Sequence, residues 1–221
     1  MTSPSGCLVI FDCDGVLVDS ERLAVAIDVR AIGELGWPIT EAEVIELFLG
    51  RSEADVLADI EAHLGRPVPA DFDEAWNAEY RRVFDEQLEA VPGVAGAIKI
   101  VAAEGFRTCV ASSGSHEKMR RTLGRTGLLE FFDGRIFSAT EVARGKPEPD
   151  LVLYAAQQVG LPPDRCVVVE DSRYGVAGAS AAGMKAIGFA GGVTPAGQLD
   201  QADVVITDMA DLPGAVTLLL C

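Results

Sequence analysis

Apolar residues along this chain follow two rhythms, and the change from one to the other divides it. Leu8-Val9-Ile10-Phe11 is a short run, rich in β-branched and aromatic residues and apolar on both faces. Such a run suits a strand buried inside a parallel sheet. Further short runs at Thr108–Ala111, Arg135–Ser138, Cys166–Val169, Ala186–Phe189 and Val204–Ile206 predict strands. Helical spacing fills the gaps, over Val94–Glu104, Glu117–Gly127, Pro149–Gly160 (Pro149 in the first turn), Tyr174–Gly183 and Leu212–Leu220. Strict alternation of this kind predicts right-handed crossovers and an α/β, doubly wound parallel sheet.

Between the first strand and Pro92 the strand rhythm disappears. Ser20 reads as an N-cap ahead of Leu23, Ile27, Ile32 and Leu35, with Gly36 and Pro38 ending the helix. Thr40 and Glu43 form a capping box before Val44, Leu47 and Phe48. Glu53–Leu64 carries Val56, Leu57, Ile60 and Leu64, and Gly65 and Pro67 stop it. Asp71 or Phe72 opens a last helix through Trp76, Tyr80, Val83, Phe84 and Leu88. About four helices and no strand predict a small helical module over residues 19–90, inserted after the first strand. Residues 1–18 and 91–221 then form the core domain.

Charge and composition narrow the partners. With 18 basic and 34 acidic residues the net charge is −16, which argues against nucleic acid or an anionic membrane. No apolar stretch approaches a membrane span, and MTSPSG lacks a secretory pattern. The five cysteines are odd in number, widely spaced and without a C-x-x-C pair, which suits reduced packing residues and a cytoplasmic setting. A monomer or weak homo-oligomer is expected.

The carboxyl ends of the strands are where an open α/β sheet places its ligands. The first ends in Asp12 and Asp14, which face one pocket if the segment stays extended. The bland alternative is a turn with solvated carboxylates, and Cys13 between them is open as a thiol nucleophile. The second ends in Ser112-Ser113-Gly114-Ser115 before a helix, an anion site or an ordinary N-cap. Gly145-Lys146-Pro147 holds a lysine in a tight turn, and the fourth strand ends in Glu170-Asp171-Ser172 with Gly175 following. Asp12, Asp14, Glu170 and Asp171 do not all ionise together without a cation, and an all-oxygen site suits Mg²⁺. Together with Lys146 and Ser112 this set fits phosphoryl transfer to a carboxylate, a second carboxyl moving the proton. His63 and His116 lie outside the set, in the helical block and at a helix start.

FDCDGVLVDSE, VASSGS, GKPEPD and VVEDSRYG, in this order, resemble the four motifs of the haloacid dehalogenase superfamily. The likeness spans nearly the whole chain and is nearest the phosphatase and phosphomutase branch, whose Rossmann-like core carries a helical cap after the first motif. It implies Asp12 as nucleophile, Asp14 as general acid and base, and Ser112 and Lys146 as phosphate holders. It implies Mg²⁺ on Asp12, Asp171 and the Asp14 backbone carbonyl, with Glu170 close by. Gly15, Ser113, Gly114 and Glu21 fall in the same motifs as substrate contacts. A cap closing over substrate would hinge at Val16–Ser20 and Ala90–Gly93.

Departures sort the branches. Dehalogenases lack the second aspartate that Asp14 provides, and ATPase relatives carry Thr there. Phosphonatases and β-phosphoglucomutases use a cap lysine, whereas the lysines here are Lys99, Lys118, Lys146 and Lys185, none in the cap. Hydrolysis is therefore preferred to a mutase. A non-catalytic scaffold binding Mg²⁺ and phosphate would be expected to lose a motif residue, and none is lost. Gly50-Arg51-Ser52 resembles the family's specificity loop, with Arg51 as a forked donor or a solvated helix-start residue, and Lys118, just after the serine cluster, is open as a contact at the pocket mouth or a surface residue. The likeness points to a small phosphorylated metabolite, a sugar phosphate or a sugar-acid phosphate such as 6-phosphogluconate, with phosphoglycolate less favoured.

Overall fold

The computed structural model of the chain describes residues 6–49, 51 and 53–221. Six parallel strands form one sheet in the order β3-β2-β1-β4-β5-β6. They are β1 (Leu8–Phe11), β2 (Arg107–Ser112), β3 (Ile136–Ser138), β4 (Cys166–Glu170), β5 (Lys185–Phe189) and β6 (Val204–Ile206). The α/β, doubly wound expectation holds. The chain runs outward from β1 to β2 and β3, then returns to β1's other side with β4. That reversal puts a topological switch point between β1 and β4, where a crevice opens at the carboxyl ends.

Both faces of β1 are buried because helices cover both sides. Leu8 and Ile10 join Cys109, Ala111, Cys166 and Val168 in one cluster. Its other wall comes from α7 (Asp150–Val159) and α8 (Arg173–Ala181), through Leu151, Ala155 and Ala179 among others. Phe11 points the opposite way and meets Phe132 edge-on at 5.8 Å between ring centroids. α5 (Val94–Ala103), α6 (His116–Arg125) and α9 (Leu212–Leu220) complete the helices of this unit. Cys7, Cys13, Cys109 and Cys166 are buried, as packing residues should be, and Cys221 is exposed. No helix among the described residues is long and apolar enough to cross a membrane.

The chain divides into two compact units, Met1–Asp19 with Glu89–Cys221, and Ser20–Leu88. In the first, the outgoing and returning segments are tied together: Asp19 N–H donates to Glu89 O at 3.0 Å and Val91 N–H to Leu17 O at 3.0 Å. This pairing keeps Asp19 extended, so Ser20 is the first residue of the following helix and not its cap. Pro149 likewise stands at the cap position, and α7 begins at Asp150.

The second unit holds α1 (Ser20–Glu34), α2 (Glu41–Phe48), α3 (Glu53–Leu64) and α4 (Phe72–Gln87). The capping box at Thr40 and Glu43 is formed, with both reciprocal bonds. Leu47 departs from the expected apolar stripe and is 42% exposed. His63 stacks flat on Trp37 with ring centroids 3.6 Å apart, a packing role. Between α1 and α4 a carboxylate is buried: Asp28 Oδ1 accepts from Trp76 Nε1–H at 3.1 Å and from the Tyr80 hydroxyl. Burial raises its carboxyl from 3.8 to about 6, although the bonds from Tyr80 and Trp76 pull the other way.

The folded chain thus holds the Asp28 proton more tightly than the unfolded chain does. Its contribution to stability is complete below the ordinary carboxylate value and is lost as pH rises through about 6. Asp28→Asn keeps an oxygen acceptor for Trp76 and Tyr80 but removes the buried charge. Urea unfolding at several pH values should show this variant flattening the decline between pH ~4 and ~6, with a gain of roughly 2–3 kcal/mol at neutral pH.

Candidate active site

Asp12 directly follows β1, and its N–H still bonds to Val169 O of β4 at 3.0 Å. There the extended run ends. Leu17 and Val18 both donate to Cys13 O, and Gly15 N–H donates to Val18 O, so residues 13–18 close into a tight turn. Gly15 sits in the left-handed region with φ of +72°. A Cβ at this position would lie 1.9 Å from Asp171 Oδ2, so only glycine lets this turn lie against the end of β4.

Across the switch point Glu170 and Asp171 end β4. Glu170 is fully buried, and its Oε2 accepts from Ser172 N–H and Oγ at 3.0 and 2.9 Å. Ser172 caps α8 by accepting from Gly175 N–H at 3.1 Å. A Cβ on Gly175 would meet Glu170 Oε1 at 1.8 Å, so the first turn of α8 is cut away to admit that carboxylate. Carboxylate oxygens of Asp12, Glu170 and Asp171 come within 4.8 Å of one another, all three residues buried.

Lys146 enters this cluster from the loop before α7. Its Nζ contacts Glu170 Oε1 and lies 2.8 Å from Asp12 Oδ1. The second contact is an ion pair without hydrogen-bond angles, so Asp12 Oδ1 remains a buried oxygen with no hydrogen-bond donor. Burial alone would strip Lys146 of its proton, but Asp12 and Glu170 outweigh it and hold the ammonium charged. Burial pushes the Asp12 carboxyl up to about 7; Lys146 opposes the rise and Glu170 adds to it. Three carboxylates against one ammonium leave the cluster short of positive charge. An undonated buried oxygen and an all-oxygen donor set fit a hard divalent cation.

Asp14 stands apart from this cluster. Because the chain turns at Cys13, the two-residue alternation expected of a strand does not apply. The Asp14 carboxylate pairs instead with Lys118 Nζ on α6 at 2.7 Å. Lys118 therefore has a partner within the site region. The Cys13 thiol is buried, and burial, then Asp14 and Asp12, raise its pKa well above the ordinary value. That is the opposite of what a thiolate nucleophile needs, and this alternative falls.

The serine cluster forms a shaped loop at the end of β2. Ser112 is 1% exposed, and its Oγ accepts from Gly114 N–H at 3.2 Å. Ser115 caps α6, while Ser113 is exposed on the same turn. A support not anticipated holds the loop from below: Ser138 Oγ donates to Gly114 O at 2.7 Å. Ser138 is fixed by Glu141, which takes its N–H at 2.8 Å and also meets His116 Nε2 at 2.8 Å and the Tyr154 hydroxyl at 3.0 Å. The signal was present as a Ser-x-x-Glu capping box, now formed at Ser138 and Glu141.

Two proposed substrate contacts belong to the helical unit. Arg51 forms an ion pair with Asp59 and donates to Leu47 O at 3.3 Å. Glu21 lies in the first turn of α1. Gly50 and Ser52, the remainder of the suggested specificity loop, lie outside the described residues.

The family model described as haloacid dehalogenase-like hydrolase matches residues 8–183. This chain belongs to that family. The haloacid dehalogenase-like hydrolases it resembles include 6-phosphogluconate phosphatase of Escherichia coli K12, 31% identical over 82% of this chain and 81% of that protein. A phosphorylated carbohydrates phosphatase of Thermotoga maritima is 33% identical, covering 81% of this chain and 82% of its own. Among solved structures, a HAD family hydrolase of Deinococcus radiodurans R1 with bound phosphate and sodium is 31% identical. It has a TM-score of 0.81 and covers 99% of each chain.

Gly15, with Gly33 as an uncrowded control, gives a direct check on this geometry. Gly15→Ala should cost ~1–3 kcal/mol from its left-handed backbone alone, and more from displacing Asp171. Gly33→Ala, in α1 with nothing within 4 Å of the added methyl, should be neutral or stabilising. Urea unfolding of the two variants side by side separates site crowding from a general intolerance of alanine.

Proposed function

We propose that this hydrolase is a Mg²⁺-dependent phosphatase that cleaves small phosphorylated metabolites through a phosphoryl group carried on Asp12. The observation that carries this reading is the convergence of Asp12, Glu170, Asp171 and Lys146 at the β1/β4 switch point. Mg²⁺ held by Asp12, Asp171 and the Asp14 carbonyl, with Glu170 alongside, would act as a Lewis acid toward the phosphoryl oxygens.

The protein's own groups supply the remaining chemistry. Lys146 Nζ and Ser112 Oγ, with the N–H groups of the loop before α6, bind non-bridging oxygens and absorb charge as the transition state forms. An Asp12 oxygen attacks phosphorus while the bond to the departing alcohol breaks. Asp14 gives its proton to that alcohol oxygen. In the second half, Asp14 takes a proton from water as the water oxygen attacks phosphorus, and the Asp12–phosphorus bond breaks. The sum is ester plus water giving alcohol plus phosphate, with Asp12 and Asp14 restored.

For the substrate class we take a sugar phosphate or sugar-acid phosphate, 6-phosphogluconate included. The named substrates of the E. coli and T. maritima relatives support this class. The absence of a lysine between residues 20 and 88 favours hydrolysis over a mutase, since mutase-type caps use one.

Phosphate release across hexose phosphates, 6-phosphogluconate, β-glucose 1-phosphate, phosphoglycolate and nucleoside monophosphates tests the reading. Turnover should require Mg²⁺, vanish in Asp12→Asn, and fall by roughly 10²–10⁴ in kcat in Asp14→Asn. Acid quenching during turnover should leave a hydroxylamine-labile phosphoryl group on the peptide containing Asp12. Conversion of β-glucose 1-phosphate to the 6-phosphate without release would replace this reading with a mutase.

A further inference from the structure

We propose that a groove at the amino-terminal edge of the sheet binds a small anion with a flat apolar body, gripped by Lys99, Arg107 and Arg135. The groove has a volume of about 470 Å³, within the usual range for small-molecule sites. Ile98 and Ala102 of α5, with Phe106 and Phe131, line it with apolar surface. The three cations come from separate places: Lys99 from α5, Arg107 from the first position of β2, and Arg135 from just before β3.

Their company is unusual for this chain. Basic residues are outnumbered 34 to 18, and Arg30, Arg51, Arg82, Lys118, Arg144, Lys146 and Lys185 each meet a carboxylate within 4 Å. Lys99, Arg107 and Arg135 form no ion pair among the described residues, yet they share one groove. Lys99 Nζ stands 5.7 Å from the centre of the Phe131 ring. Arg135 donates from Nη2 to Phe131 O at 2.7 Å, which fixes the plane of its guanidinium. Its Nε–H is buried with no acceptor. A buried donor without a partner is costly, and an oxygen on a ligand would satisfy it.

These features select the ligand's chemistry. A guanidinium fork matches a carboxylate, sulfonate or phosphate. Two phenylalanine rings and aliphatic side chains suit a flat apolar body. A protein partner normally buries about 800 Å² on each side, far more than this groove offers, and the net charge of −16 opposes nucleic acid. Arg107 and Ser112 are the two ends of the same six-residue strand, so groove and acidic cluster lie at opposite edges, roughly 17 Å apart along it. The groove can fill without obstructing the cluster, and the inference does not depend on the proposed phosphatase activity.

The test uses the full chain and 8-anilinonaphthalene-1-sulfonate, an aromatic sulfonate, with uncharged N-phenyl-1-naphthylamine as comparison. Fluorescence titration should give saturable binding of the sulfonate, weakened at least tenfold in Arg107→Gln and several-fold in Lys99→Gln. Both residues are exposed at the surface, so these variants keep the fold. Amide NMR shifts on adding the sulfonate should centre on residues 98–108 and 131–135. Equal binding by the variants, equal affinity for the uncharged compound, shifts centred elsewhere, or no saturable binding would each overturn the proposal.

Discussion

Three buried carboxylates facing one ammonium are the constraint on which this structure turns. Two carboxylate charges 4.8 Å apart repel by about 3 kcal/mol at an effective dielectric constant near 20. Lys146 offsets part of this by contacting two of the three. A fold holds such a cluster only if its surroundings leave no room to relax, and the local backbone shows how that is done. The two strands that carry the acids are neighbours in register, Phe11 beside Val169, so Asp12 and Glu170 emerge side by side. The turn after Asp12 approaches Asp171 through a glycine, and α8 approaches Glu170 through another.

Function and topology are joined at that point. The chain reverses its winding direction between β1 and β4, and no helix can cross the carboxyl ends there. The apolar sheet beneath is buried from both sides, which makes the strand ends rigid platforms. Around the platform many supporting bonds join backbone to short side chains: Gly175 N–H to Ser172 Oγ, Gly114 N–H to Ser112 Oγ, and Ser138 Oγ to the Gly114 carbonyl. Short side chains lose little entropy when fixed, so they hold a loop at small cost.

Much of this was legible in the sequence because chemistry was concentrated where the strand rhythm stopped. Asp12, Ser112 and Glu170 each follow an apolar run directly, so strand position alone places them on one edge. What could not be read was anything set by pairing between distant segments. Asp14 was expected beside Asp12 by strand alternation, but a turn at the Cys13 carbonyl sends it to Lys118, 104 residues away. The Ser138–Glu141 box was visible locally, yet its bond to Gly114 is tertiary. Arg51 was an open choice between ligand holder and surface residue, and it pairs with Asp59, a residue of α3 eight positions on. The cations of the opposite groove come from three separated positions that no spacing rule connects.

The measurement that bears most directly on the acidic cluster is thermal unfolding of the intact chain with and without millimolar Mg²⁺, for the native sequence and Asp171→Asn. A cation that binds only the folded cluster stabilises it by mass action, about 2.7 kcal/mol at a hundredfold excess over Kd. The native chain should therefore melt higher in Mg²⁺, and Asp171→Asn should lose most of that rise. An unchanged Tm in the native chain, or an equal rise in both proteins, would contradict the cluster as a divalent-cation site.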